Sequence, residues 1–158
     1  MKARIIVSVV VATGILLGTS GCNLLAPQST TAKYDASDGV SGNVGDLAIR
    51  NAMLLSDDGN IANLVVTVVN SGDSAHSLNV QYDDGTEKFT QEVNVDANSS
   101  VTFGTPDAPT VTVTADVAPG SLFPVFFQYG NETGVEVLVP VLDGSLEEYS
   151  TLLPTSAP

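Results

Sequence analysis

Two hydrophobic patterns divide the chain. From Ile5 to Leu17 the side chains are apolar almost without interruption, whereas from Leu47 onward short runs of Val, Ile, Thr, Phe and Tyr stop at polar, Gly-rich or Pro-rich punctuation. The second pattern recurs about every 8 to 14 residues, as in an antiparallel β-sandwich. Leu47 to Leu55 predicts a first strand, with Leu47, Ile49 and Met53 on one face. Asp57-Asp58-Gly59-Asn60 predicts a turn, since Asp and Asn tolerate left-handed backbone and Gly adopts positive φ without steric cost. Ile61 to Asn70 is apolar nearly throughout and reads as a central strand. After the turn at Ser71 to Ser74, Leu78, Val80 and Tyr82 alternate with Asn79 and Gln81. Asp83-Asp84-Gly85-Thr86 then closes a hairpin onto Glu87 to Val95, which places Phe89, Gln91, Val93 and Val95 on one side. Ser100 to Gly104, Thr110 to Ala115, Leu122 to Tyr129 and Val135 to Leu142 bring the count to about eight strands. Pro124 and Pro140, inside the last two, predict edges or bulges because proline has no N–H for a ladder. No segment has a convincing helical period.

The amino terminus obeys different rules. Lys2 and Arg4 precede the apolar run, and Gly18, Thr19, Ser20 and Gly21 follow it, which is the layout of an export signal. The run is shorter than the roughly 20 residues that cross a bilayer. Cys22 comes next, and Thr19-Ser20-Gly21-Cys22 resembles the lipobox of bacterial lipoproteins, with Thr19 where Leu is most frequent. That resemblance implies cleavage before Cys22 and a covalent diacylglycerol and acyl lipid on its sulfur and new amino terminus. Several acyl chains give stable anchoring at about 0.8 kcal/mol per buried methylene. The expected organisation is a signal peptide over residues 1–21, a lipidated cysteine and flexible tether over 22–44, a β-sandwich over 45–143 and a carboxy-terminal tail over 144–158. The tether is rich in Ser, Thr, Asp and Gly and buries too little surface to order itself. In the tail, Tyr149, Leu152 and Leu153 are positioned to dock on the domain.

Charge narrows the partners. The 158 residues include 5 basic and 18 acidic side chains, for a formal net charge of −13. Nucleic acid is excluded, because phosphate binding needs clustered Lys and Arg. The mean hydropathy of +0.22 conflicts with that charge only while the signal is counted. Once it is removed, Lys33, Arg50 and Lys88 remain against all 18 acids. Such a domain is repelled by an anionic membrane surface, so the lipid is what holds it there.

Catalytic chemistry has little to work with. One Cys and one His cannot build a thiolate and imidazole zinc cage. A Ser nucleophile would need His76 as its base, and nothing around His76 resembles a nucleophile elbow. The pairs Asp57-Asp58, Asp83-Asp84 and Glu147-Glu148 are adjacent in sequence and point different ways, and the first two precede Gly as turns require. The acidic loops also lack the ligand spacing of a calcium-binding EF loop. No enzyme activity is expected.

A family resemblance runs through Gly45-Asp46-Leu47-Ala48-Ile49-Arg50-Asn51, Ala62 to Asn70, Phe126-Phe127-Gln128-Tyr129-Gly130 and Val135 to Val141. These stretches resemble small actinobacterial lipoproteins of the Lpq type. More distantly, they resemble periplasmic copper chaperones of the PCu(A)C superfamily. The resemblance implies an immunoglobulin or cupredoxin-like β-sandwich and, in the chaperones, Cu(I) held by Met sulfur and His nitrogen, ligands suited to a soft ion. The strand carrying the chaperones' His-x-Met pair falls by register on Thr110-Val111-Thr112, which has neither residue. The remaining donors are Met53, expected as core packing, and His76, expected exposed at a turn. No metal or other cofactor is therefore expected beyond the lipid on Cys22. The expected function is that of a lipid-anchored lipoprotein on the extracytoplasmic face of the cell membrane, a non-catalytic binding or accessory module whose partner would be an envelope protein. The alternative is a copper chaperone-like protein with a degenerate site.

Overall fold

The computed structural model describes residues 2–25 and 34–154, with side chains for 2–15 and 34–154. Residues 26–33 of the expected tether and the last four residues of the tail lie outside the described residues. The chain divides into an amino-terminal unit and a second unit that begins at Asp35. The first holds helix α1, Lys2–Leu25, which covers the expected signal peptide and runs on past Cys22. The Cys22 side chain is outside the described residues. Among the described residues, no helix is long and apolar enough to cross a membrane.

The second unit is all-β apart from one turn of helix. It comprises β1 (Val40–Val44), β2 (Leu47–Leu55), β3 (Ile61–Asn70), β4 (His76–Asp83), β5 (Lys88–Val95), β6 (Ser99–Phe103), β7 (Thr112–Thr114), β8 (Leu122–Gln128), β9 (Val135–Leu142) and α2 (Glu147–Ser150). The nine strands form a mixed, curled sheet in the order β5-β4-β8-β9-β2-β3-β6, with β1 paired to β2 and β7 to β3. The two ends of that order, β5 and β6, come back into contact. One core then serves both halves: Ile49, Leu54, Leu64 and Val68 pack with Leu78, Val80, Val125, Phe127 and Val139. The pairing departs from a purely antiparallel arrangement at one seam, where Leu54 and Leu55 of β2 run parallel to Val141 and Leu142 of β9.

β1 falls in the last five residues assigned to the tether. Its sequence, Val-Ser-Gly-Asn-Val, has only two apolar side chains, yet it pairs with β2 and ends in buried Val44. Pairing with an existing edge orders a segment that could not order itself.

The β2 register explains a second departure. Leu47 and Ile49 face the main core, but so do Ala52 and Leu54, while Met53 faces the other way. Between Arg50 and Met53 the pairing with β3 slips. Asn51 adopts φ 50°, and its Oδ1 accepts the N–H of Gly39 at 3.0 Å. One extra residue in a period-2 strand exchanges its faces. Met53, Leu55 and Val65 thus form a second cluster on the outer side, covered by Leu142, Tyr149, Leu152 and Leu153. The tail is fastened by Asn63 Nδ2, which donates to the Leu152 carbonyl at 2.8 Å, and by the Tyr149 hydroxyl, which donates to the Asp38 carboxylate. That carboxylate pushes the Tyr149 pKa up to about 12.

Candidate functional site

The sheet β4-β8-β9 determines which side chains are available for binding. Along β8, Phe123, Val125 and Phe127 are buried, and they pair across with Val139, Val137 and Val135 of β9. The intervening pairs are Leu122 with Pro140, Pro124 with Leu138 and Phe126 with Glu136, and they share the opposite face. In an antiparallel sheet with one solvated face these positions are normally polar. Here five of the six are apolar. Leu122 is 61% exposed and Leu138 53%. A contiguous apolar patch rimmed by charge marks an interaction surface. Leu-Phe-Pro-Val-Phe-Phe is apolar at every position, yet only Phe123, Val125 and Phe127 join the main core.

A cleft adjoins this stripe. β4 pairs with β8 only from Asn79–Gln128 to Gln81–Phe126. The next β8 residue on the stripe, Pro124, has no N–H to continue the ladder, so the pairing stops and Tyr82 and Asp83 part from β8. The result is a depression of about 350 Å³ lined by Gln81, Tyr82, Asp83, Lys88, Pro124, Phe126 and Glu136. Phe126 and Pro124 are part of its apolar lining, and the charged residues that line it are two carboxylates and one ammonium. The prolines were expected at edges or bulges, but β8 and β9 are interior strands and their mutual register is unbroken; the two residues are accommodated because Pro124 lies just beyond the β4–β8 pairing and Pro140 just ahead of the β2–β9 pairing.

The metal-ligand candidates lie elsewhere. Met53 is buried in the second cluster, so its thioether packs against Leu and Val side chains. His76 opens β4 and is half-buried, not exposed at a turn, because its ring packs against Tyr129 at a 37° tilt with centroids 4.3 Å apart. The Tyr129 hydroxyl in turn accepts the N–H of Asp46 at 3.0 Å. This fixes His76 at the Asp46 end of β2, roughly 20 Å of strand away from Met53, and on the other side of the sheet. Thr112, in the strand matched to the chaperones' ligand pair, instead accepts a hydrogen bond on its carbonyl from Gln91 Nε2 at 2.5 Å. Among the described residues, no group of three or more His, Cys, Asp or Glu side chains could hold a metal ion.

The Asp-rich loops have structural roles. Asp58 Oδ1 accepts the N–H of Asn60 at 2.9 Å and of Ile61 at 3.2 Å, and Asp84 Oδ1 accepts Thr86 Oγ1 and the N–H groups of Thr86 and Glu87. The Asn60 N–H lowers the Asp58 pKa most, and the Thr86 hydroxyl that of Asp84. These carboxylates hold their own turns.

Comparison with solved structures bears on the architecture. An apo PCuAC domain from PmoF1 superposes with a TM-score of 0.51 at 14% identity, over 65% of this chain and 99% of that one. The protein has a PCuAC-like fold. A copper-bound PCuAC domain from PmoF2 matches with a TM-score of 0.49 at 18% identity, over 66% of this chain and 98% of that one. No family model and no curated protein matches the sequence. The likeness extends to the curled β-domain alone.

Proposed function

We propose that this protein is a lipid-anchored extracytoplasmic module that binds an envelope protein without catalysis. The observation that carries the binding role is the apolar face of exposed Leu122, Pro124 and Leu138 with half-buried Phe126 and Pro140 beside them. Burying such a face on a partner gains about 25 cal/mol for each Å² of apolar surface removed from water. The anchor rests on Lys2 and Arg4, the apolar run and Gly21-Cys22. The diacylglycerol on Cys22 holds the module at the membrane, and the chain between Cys22 and β1 spaces it from the surface. His76, the one histidine, packs its ring on Tyr129.

A metabolically incorporated fatty-acid label is expected on the wild-type chain and absent from Cys22→Ala, which also leaves the membrane fraction. A label retained by the variant, or missing from the wild type, overturns the anchor.

The second reading, a copper chaperone-like protein with a degenerate site, has the PCuAC-like fold in its favour. A soft Cu(I) ion needs Met and His donors converging on one point, and Met53 and His76 do not converge. Titration of the full chain with Cu(I) under reducing conditions is therefore expected to give no affinity tighter than about micromolar, a free energy near −8 kcal/mol. Tighter binding that is lost in His76→Ala would restore the copper reading.

A further inference from the structure

We propose that the cleft between β4 and β8, with the stripe beside it, takes an extended segment of a partner protein carrying a basic side chain and, two residues along, an apolar one. This rests on the binding-module reading and names the chemistry of the partner.

The cleft sets the first requirement. Its 350 Å³ is near the lower limit of small-ligand pockets and suits a single long side chain. Asp83 and Glu136 outnumber Lys88 in its lining, and Phe126 lines it too. A guanidinium or ammonium group placed there meets carboxylates and an aromatic face, while its methylene stem lies along Pro124. The stripe sets the second. Leu122 is two residues from Pro124 on the same face, and Pro140 lies opposite it. A strand repeats on one face every two residues, about 6.6 Å. An extended ligand with its basic residue in the cleft therefore sets its second following side chain on Leu122 and Pro140.

Charge selects among other occupants. With 18 acidic residues against 5 basic ones, a second copy of the chain is repelled, and so is an anionic bilayer. A basic segment is attracted.

The test uses the full chain in phosphatidylcholine nanodiscs and an acetylated, amidated Ser-Arg-Ser-Leu-Ser-Leu peptide. Saturable shifts of the Leu122 and Leu138 methyl resonances are expected. The same peptide with Glu in place of Arg should bind at least about tenfold more weakly. Glu136→Gln should weaken the basic peptide about threefold and Leu138→Ser about fivefold. Both positions are solvent-facing, so the fold is kept. Equal affinity for the acidic peptide, or no response to either variant, overturns the proposal. Broadening of the two methyls by spin-labelled lipid before peptide is added would assign the face to the bilayer, and concentration-dependent shifts without peptide would assign it to a second copy. Either result also overturns it. Repeating the titration on the Cys22→Ala chain separates this proposal from the anchor, because the cleft keeps its affinity whether or not Cys22 is lipidated.

Discussion

Replacing Phe127 by Ala is expected to lower the unfolding free energy by about 4 kcal/mol, the middle of the range for truncating a buried aromatic side chain. Phe127 is fully buried on β8, pairs with Val80 of β4 and Val135 of β9, and is among the largest side chains of the main core. The cost is high because the space left behind cannot close. Its neighbours stand on ladders fixed on both sides, so a vacated ring leaves atoms without packing partners. Urea denaturation of the full chain should show a lower midpoint with an unchanged slope. Leu122→Ala, on the same strand but the opposite face, should cost no more than about 0.5 kcal/mol. A Phe127→Ala loss below about 1.5 kcal/mol would mean that the two halves of the curled sheet do not share one core. The contrast also matters for function, because the stripe can be altered without damaging the domain that presents it.

Asn70→Ala is expected to cost about 3 kcal/mol, although it removes no apolar packing. The Asn70 side chain is buried at the end of β3, where four hydrogen bonds converge. Its Nδ2 donates to the carbonyls of Ser74 at 2.8 Å, Asp96 at 3.0 Å and Val95 at 3.3 Å, and its Oδ1 accepts the N–H of Gly72 at 2.9 Å. One amide thus closes the turn between β3 and β4 and ties it to the end of β5. Each buried backbone group left unpaired costs about 1 to 3 kcal/mol, and water that enters the vacated space recovers part of the loss. Asn94→Ala, which removes a single exposed bond to Ser77, serves as the control and should change the midpoint little. Similar midpoints for the two variants would show that the Asn70 network adds nothing beyond an ordinary surface contact. If Asn70→Ala fails to accumulate as folded chain, Asn70→Asp keeps the acceptor and removes the amide that donates to the three carbonyls, and is expected to show most of the same loss.

Much of the β-domain was legible in the sequence. Leu78, Val80 and Tyr82, and Phe89, Val93 and Val95, point inward as their alternation predicts, and Gln91 shares their face with its amide satisfied by Thr112. The hairpin of β4 and β5 forms where Asp84-Gly85 predicts it. Ile61 to Asn70 is central, flanked by β2 on one side and by β6 and β7 on the other. Met53 is core packing, in a cluster that the alternation did not predict. The apolar stripe was present in the sequence as hydrophobic excess in β8 and β9, but a continuous apolar strand is the expected pattern for one covered on both faces. The open face could be recognised only from what surrounds it.

The division follows from the range of the interactions. Alternation, turn residues and proline positions act over a few neighbours, so the sequence alone determined most strands, their inward faces, the acidic charge and the cysteine set behind an apolar leader. The tertiary structure decided whatever depends on a distant partner. The edge of β2 recruits β1 from a segment without pattern, the Asn51 bulge exchanges the faces of β2, and the tail covers the second cluster. Tyr129 takes the ring of His76, and among the described residues Leu122 and Leu138 stay exposed. A side chain's periodicity states which way it points, and only the packed chain states what lies there.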